Sequence, residues 1–92
     1  MTVGDIDIDF AAREVRRHGA PIELTAREFA ILELLTRSRG AVVGRATIYD
    51  HIYDDDTDVV SNAIDVHIAA LRRKLGANLI RTRRGEGYVI HA

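Results

Sequence analysis

Apolar and acidic residues alternate with period two across "IDIDF" (Ile6 to Phe10), as they do in a strand with one buried face. "EVRR" predicts a second short strand and "PIEL" a third, separated by a turn signal at His18-Gly19-Ala20-Pro21. Met1 to Val3 read as the remnant of another. At Leu24 the period changes. In "LTAREFAILELL", Thr25 is placed to cap a helix and Glu28, three residues on, to complete a capping box. Phe29, Leu32 and Leu35, widened by Ile31 and Leu34, then form one apolar stripe, with Gly40 as the expected stop. "GRATIYDHIY" (44–53) predicts a short helix with Ile48 and Ile52 four apart. "SNAIDVHIAALRRKL" (61–75) predicts a third helix, closed by Gly76. "LIRTRRGEGYVIH" predicts a β-hairpin around a glycine-bearing turn. The expectation is an α+β chain forming a single domain over residues 1–92.

The third helix has two apolar sides. With Ile64 at zero and an advance of about 100° per residue, Val60, Ile64, Ile68, Leu71 and Leu75 share one narrow stripe, the core face. Opposite lie Asn62, Val66 and Arg73, flanked by Ala69 and Ala70. Asp65 and Arg72 lie to one side, His67 and Lys74 to the other. A solvated face would usually carry Lys, Glu and Gln. This one has the mixture that a major groove accepts. Small side chains permit close approach, Val and Ala touch thymine methyls, Asn pairs with adenine, and Arg grips guanine or phosphate. The alternative is a face that docks on a protein partner through Val66, Ala69 and Ala70.

Charge sharpens the first reading. The net charge is −1, but its distribution is uneven. Residues 50–58, "DHIYDDDTD", hold five Asp and no Lys or Arg, whereas six Lys and Arg lie between Arg72 and Arg84. Binding follows the local field rather than the sum. Arg81, Thr82, Arg83 and Arg84 lead into Gly85-Glu86-Gly87, so the hairpin carries arginines to its tip. Such a tip inserts a cation into a narrow minor groove.

Three stretches together resemble the OmpR/PhoB-type winged-helix effector domains of bacterial two-component response regulators: "LTAREFAILELL" (24–35), "SNAIDVHIAALRRKLG" (61–76) and "IRTRRGEGYVI" (80–90). The resemblance implies a winged helix-turn-helix: an N-terminal antiparallel sheet of about four strands, three helices, and a C-terminal β-hairpin wing. It implies a recognition helix over 59–75 in the major groove and a wing over 80–90 at the minor groove and backbone. Asn62, Val66, His67, Ala69, Ala70, Arg72 and Arg73 would face bases or phosphates, and Thr82, Arg83 and Arg84 would act from the wing. The loop Tyr53, Asp54, Asp55, Asp56, Thr57 and Asp58 matches one that touches RNA polymerase in activators. The implied partners are double-stranded promoter DNA in direct repeats, a receiver domain and a sensor histidine kinase. The chain itself would be an excised effector domain without its receiver, monomeric off DNA, cytoplasmic and nucleoid-associated. Some positions depart from the pattern. Ala69 and Ala70 stand where relatives often carry polar residues, Arg83 where valine is common, and Gly44 where Ser or Thr usually caps.

Other chemistries find little support. There is no cysteine, so thiolate metal sites and disulfides are excluded. His18, His51, His67 and His91 lack zinc-ligand spacing. Asp54, Asp56, Asp58 and Asp65 loosely imitate a calcium loop, but Val59 and Asp65 stand where Gly and Glu are required. Asp58 or Ser61 is better placed to cap the third helix. No nucleophile-base pattern or phosphate-cradling loop occurs, and the expectation is a non-enzyme with no metal or cofactor.

Overall fold

The computed structural model describes residues 1–52 and 63–91. Four short strands, β1 (Thr2–Val3), β2 (Ile6–Asp9), β3 (Glu14–Arg17) and β4 (Ala20–Ile22), pair in sequence order as an antiparallel sheet. In β2 the alternation resolves as expected: Ile6 and Ile8 are buried, Asp7 and Asp9 exposed. The β3–β4 turn is tighter than the turn signal implied. His18 and Gly19 both adopt positive φ, 53° and 80°, so two residues reverse the chain and Ala20 already pairs with Arg17. The third strand therefore starts one residue before "PIEL" and ends at Ile22, because a two-residue loop of this hand matches strand twist.

Helix α1 (Ala26–Arg37) begins with the expected capping box. The Thr25 hydroxyl accepts from the Glu28 amide at 3.1 Å, and the Glu28 carboxylate accepts from the Thr25 amide at 3.0 Å. The helix ends at Arg37 with Ser38 as its cap, short of Gly40. Gly40, at φ +86°, instead turns the chain so that its amide donates to the Ile90 carbonyl at 2.8 Å. Helix α2 (Arg45–Ile52) starts after Gly44, whose carbonyl accepts from the Ile48 amide at 3.0 Å. Helix α3 is described over Ala63–Leu75. Gly76 closes it at φ +108°, its amide donating to the Arg72 carbonyl at 3.0 Å.

Strands β5 (Ile80–Arg83) and β6 (Gly87–Ile90) form the hairpin, with Arg83 opposite Gly87. Val43 adds a further rung by exchanging two backbone hydrogen bonds with Tyr88, at 2.8 and 3.0 Å. One core joins the layers. Ile6 and Ile8 of the sheet, Ile31, Leu32 and Leu35 of α1, Ile48 of α2, Ile64, Ile68, Leu71 and Leu75 of α3, and Ile80 and Ile90 of the hairpin are all buried in it. The fold is thus a winged helix with an N-terminal four-stranded sheet. Outside the described residues lie Asn62, the loop Tyr53 to Asp58, the first part of the 59–75 recognition helix with Val60, and both candidate caps, Asp58 and Ser61.

Gly87 is the tightest point of the wing. At φ +145°, a β-carbon there would sit 2.0 Å from the Val43 carbonyl oxygen, which is backbone and has nowhere to go. Gly87→Ala should break the Val43–Tyr88 rung and cost about 3 kcal/mol or more, the range of a forced backbone rearrangement. Urea unfolding of the two proteins measures it, and the wing residues should lose amide-exchange protection first.

Candidate nucleic-acid interface

Helix α3 docks its Ile64, Ile68, Leu71 and Leu75 stripe into the core and turns its other sides to three different surroundings. On one flank, Asp65 and Arg72 meet the wing. Arg72 donates from Nε and Nη2 to the Ile80 carbonyl, at 3.1 and 2.9 Å, and from Nη2 to the Thr82 hydroxyl at 2.8 Å. Two turns earlier, Asp65 accepts from Arg45 at the start of α2 and from the Tyr88 hydroxyl of β6. Arg45 also donates to the Tyr88 oxygen at 3.0 Å, closing a three-residue junction of α2, α3 and wing. On the opposite flank, Lys74 donates to the Glu28 carboxylate of α1 at 2.7 Å.

The outward side between these flanks carries Val66, Ala69 and Arg73, all exposed, with Val66 58% exposed. Ala70 does not belong to it. Expected among the DNA-facing residues, it is only 6% exposed. Ala70 lies one turn before Lys74 on the same strip of helix, and Lys74 reaches α1. Its small side chain is therefore withdrawn from the outward side of the helix. Arg72 is half-buried and its guanidinium is bonded to the wing, so it helps to position the hairpin. His67 is half-buried on the α1 flank, near Glu28.

In the hairpin, residues directly opposite each other share a face. Thr82 opposes Tyr88, so both look towards α3, consistent with their bonds to Arg72 and Asp65. Arg81 and Arg83 take the other face, and Arg84 leads the turn; all three are exposed. A cleft of about 320 Å³ under the tip is lined by Arg45, Thr82, Arg83, Arg84 and Tyr88 among others.

The comparison with known sequences is decisive at this point. Residues 19–90 match the family described as transcriptional regulatory protein, C terminal. The chain belongs to this family. Its members are the OmpR/PhoB-type DNA-binding domains of transcriptional regulators. Similar curated relatives include the transcriptional regulatory protein QseB of Escherichia coli O157:H7, 44% identical over 87 residues, 95% of this chain and 40% of QseB. The response regulator protein PmrA of Pseudomonas aeruginosa is 46% identical over 87 residues, 95% of this chain and 39% of PmrA. The chain spans about two fifths of the length of these relatives. Among solved structures, the DNA-binding domain of CpxR from E. coli superposes with TM-score 0.86 at 32% identity, covering 100% of this chain and 95% of that one. The Klebsiella pneumoniae RstA DNA-binding domain in complex with RstA box gives 0.85 at 27% identity, covering 99% and 95%.

Within this OmpR/PhoB-type domain the titratable groups at the two α3 junctions are shifted from their ordinary values. Arg45 and then Tyr88, both donating, hold the Asp65 carboxyl below its ordinary range. The same bond to Asp65 raises Arg45. Burial, reinforced by the neighbouring Asp65 charge, pushes the Tyr88 phenol up. At Glu28 burial favours the neutral acid, but the Lys74 ammonium and the Thr25 amide more than offset it, and the carboxyl is lowered. Sequence reasoning missed Arg45, Asp65, Tyr88 and the Glu28–Lys74 pair as a framework. A usable signal existed: Tyr88 is the polar-tipped residue in an otherwise apolar strand, and a buried phenol needs a partner. Among the described residues, no group of three His, Cys, Asp or Glu is placed to hold a metal ion, and no helix is long and apolar enough to cross a membrane. Asp65, the described member of the loose calcium pattern, is committed to Arg45 and Tyr88.

Glu28 makes the fold acid-sensitive in a defined direction. Its folded pKa lies below the ordinary glutamate value of 4.5, so its contribution is complete above that pH and is lost as pH falls through the folded pKa. Glu28→Gln should lower stability at pH 7 by about 1–3 kcal/mol, the range for a hydrogen bond to a charged group. It should also flatten the decline of stability below about pH 4.5. Chemical denaturation at a series of pH values reads both effects.

Proposed function

We propose that the chain binds duplex DNA with α3 in the major groove and the wing along the adjacent backbone and minor groove, as the output domain of a response regulator. One observation carries the reading. Of the thirteen Lys and Arg in the chain, Arg73, Arg81, Arg83 and Arg84 are exposed and make no hydrogen bond, ion pair or ring contact with any described residue. The rest are engaged. Arg16, Arg17, Arg37, Arg39, Arg45, Arg72 and Lys74 make hydrogen bonds. Arg13 stacks over the Phe29 ring, and Arg27 has a partner as well. The unengaged cations thus gather on the outward side of α3 and on the wing, the two elements offered to a duplex by the family's geometry.

The division of labour follows. The wing arginines supply affinity through phosphates, while Val66, Ala69 and Arg73 face base edges, with Asn62, outside the described residues, as a further candidate. Three or four phosphate contacts imply a log-log salt slope of roughly −3 to −4. The family context supports promoter DNA in direct repeats, a cytoplasmic, nucleoid-associated site of action, and a receiver and kinase upstream. It also supports RNA polymerase as a partner of the Tyr53 to Asp58 loop. A protein-docking role for the Val66 and Ala69 side is the second reading, motivated by the exposure of Val66; burial of Ala70 leaves that apolar surface small.

Arg84→Ala should weaken binding to every duplex and bring the salt slope about one unit nearer zero. Fluorescence anisotropy at several salt concentrations checks this, and an unchanged slope removes Arg84 from the phosphates. Val66→Glu should abolish selective binding while leaving thermal unfolding unchanged, since the side chain projects into solvent. A variant that still prefers its site would take α3 out of the groove, and binding insensitive to salt would favour the docking reading.

A further inference from the structure

Among the described residues, the outward side of α3 offers few hydrogen-bonding groups, and that points to what it reads. Asp65 is occupied by Arg45 and Tyr88, Arg72 by the Ile80 carbonyl and Thr82, and Lys74 by Glu28. Ala70 is covered. Between these flanks the described surface presents the Val66 isopropyl group, the Ala69 methyl one turn on, and Arg73 a further turn on. Arg73 is the polar side chain there that makes no hydrogen bond or ion pair with any described residue.

A base edge set against Val66 and Ala69 meets carbon. Most major-groove edge atoms are donors or acceptors, and covering one without a partner leaves it desolvated and unpaired. The apolar feature that an edge offers is the C5-methyl of thymine. The flanking arginines supply the charge complementarity that brings a duplex to this surface, and the small Ala69 allows close approach of the helix backbone. Resting on the DNA-binding reading above, we propose that Val66 and Ala69 select thymine by its C5-methyl group, so that this part of the site is read by apolar contact and Arg73 reads a neighbouring position.

Deoxyuridine tests this, because it keeps every hydrogen-bonding atom of thymine and removes the methyl. Duplexes are first selected from a random pool by the purified chain, and each thymine of the selected site is then replaced singly by deoxyuridine. Affinity should fall about fourfold per methyl at one or two positions, the size of one buried methyl group, and should be unchanged elsewhere. In Val66→Ala, an exposed position whose shortening leaves the core intact, the loss at one of those positions should shrink to less than about twofold. If no replacement costs more than about twofold while the selected duplex still binds, methyl reading is overturned and DNA binding stands. If the loss is the same size in Val66→Ala, the methyl acts through DNA stiffness instead of this side chain, which also overturns the proposal. If the pool yields no preferred duplex, both readings fall.

Discussion

The junction between α3 and the wing is the constraint on which the interface depends. Helix and hairpin satisfy their backbone hydrogen bonds separately, so nothing in either element sets their mutual distance. Side chains do. Arg72 spans from the helix to the Ile80 carbonyl and the Thr82 hydroxyl, and Asp65 gathers Arg45 and Tyr88 at the other end of the same flank. The Val43–Tyr88 rung, possible only because Gly87 lacks a β-carbon, ties the hairpin to the chain leading into α2. Two reading elements are thereby held at a fixed separation before any duplex arrives, and less ordering cost falls on binding.

Charge is partitioned along the same lines. The net value of −1 conceals two populations of cations, one absorbed in the fold and one projecting from it. Glu28 shows how absorption works. Burying a carboxylate is expensive unless it is fully partnered, and here one group completes the α1 capping box and receives Lys74 from α3. The acid that starts the first helix thus anchors the end of the third. Arg13 and Arg37 lie over the Phe29 and Phe10 rings at 4.4 and 4.5 Å, and those rings meet edge to face. The unengaged arginines of α3 and wing remain to shape the outward field.

Much of this was legible locally. The period-two pattern of "IDIDF", the Thr25–Glu28 box, the α3 core stripe from Ile64 to Leu75 and the hairpin around Gly85 each depend on residues close in sequence, and each formed. The flanks of α3 were also placed correctly by helical geometry, with Asp65 and Arg72 on one side and Lys74 on the other. What helical geometry could not supply was the identity of the neighbour on each flank. Ala70 resembled a groove-facing residue, yet the packed chain buries it. Arg72, in a run of three cations, resembled Arg73 until its guanidinium was found on the wing. Gly40 resembled a helix stop, but its amide is needed by Ile90.

The sequence by itself determined the elements, their order, the core-facing residues and the winged-helix class, because hydrophobic period, caps and glycine positions act over a few residues. Only the tertiary structure decided which polar side chains remained available to a partner. That choice rests on contacts across long separations, Arg45 with Asp65 and Tyr88, Lys74 with Glu28, Arg72 with Thr82. An arginine looks the same in a sequence whether it is to hold a carbonyl or a phosphate; the packed chain settles the matter by bringing the carbonyl within reach.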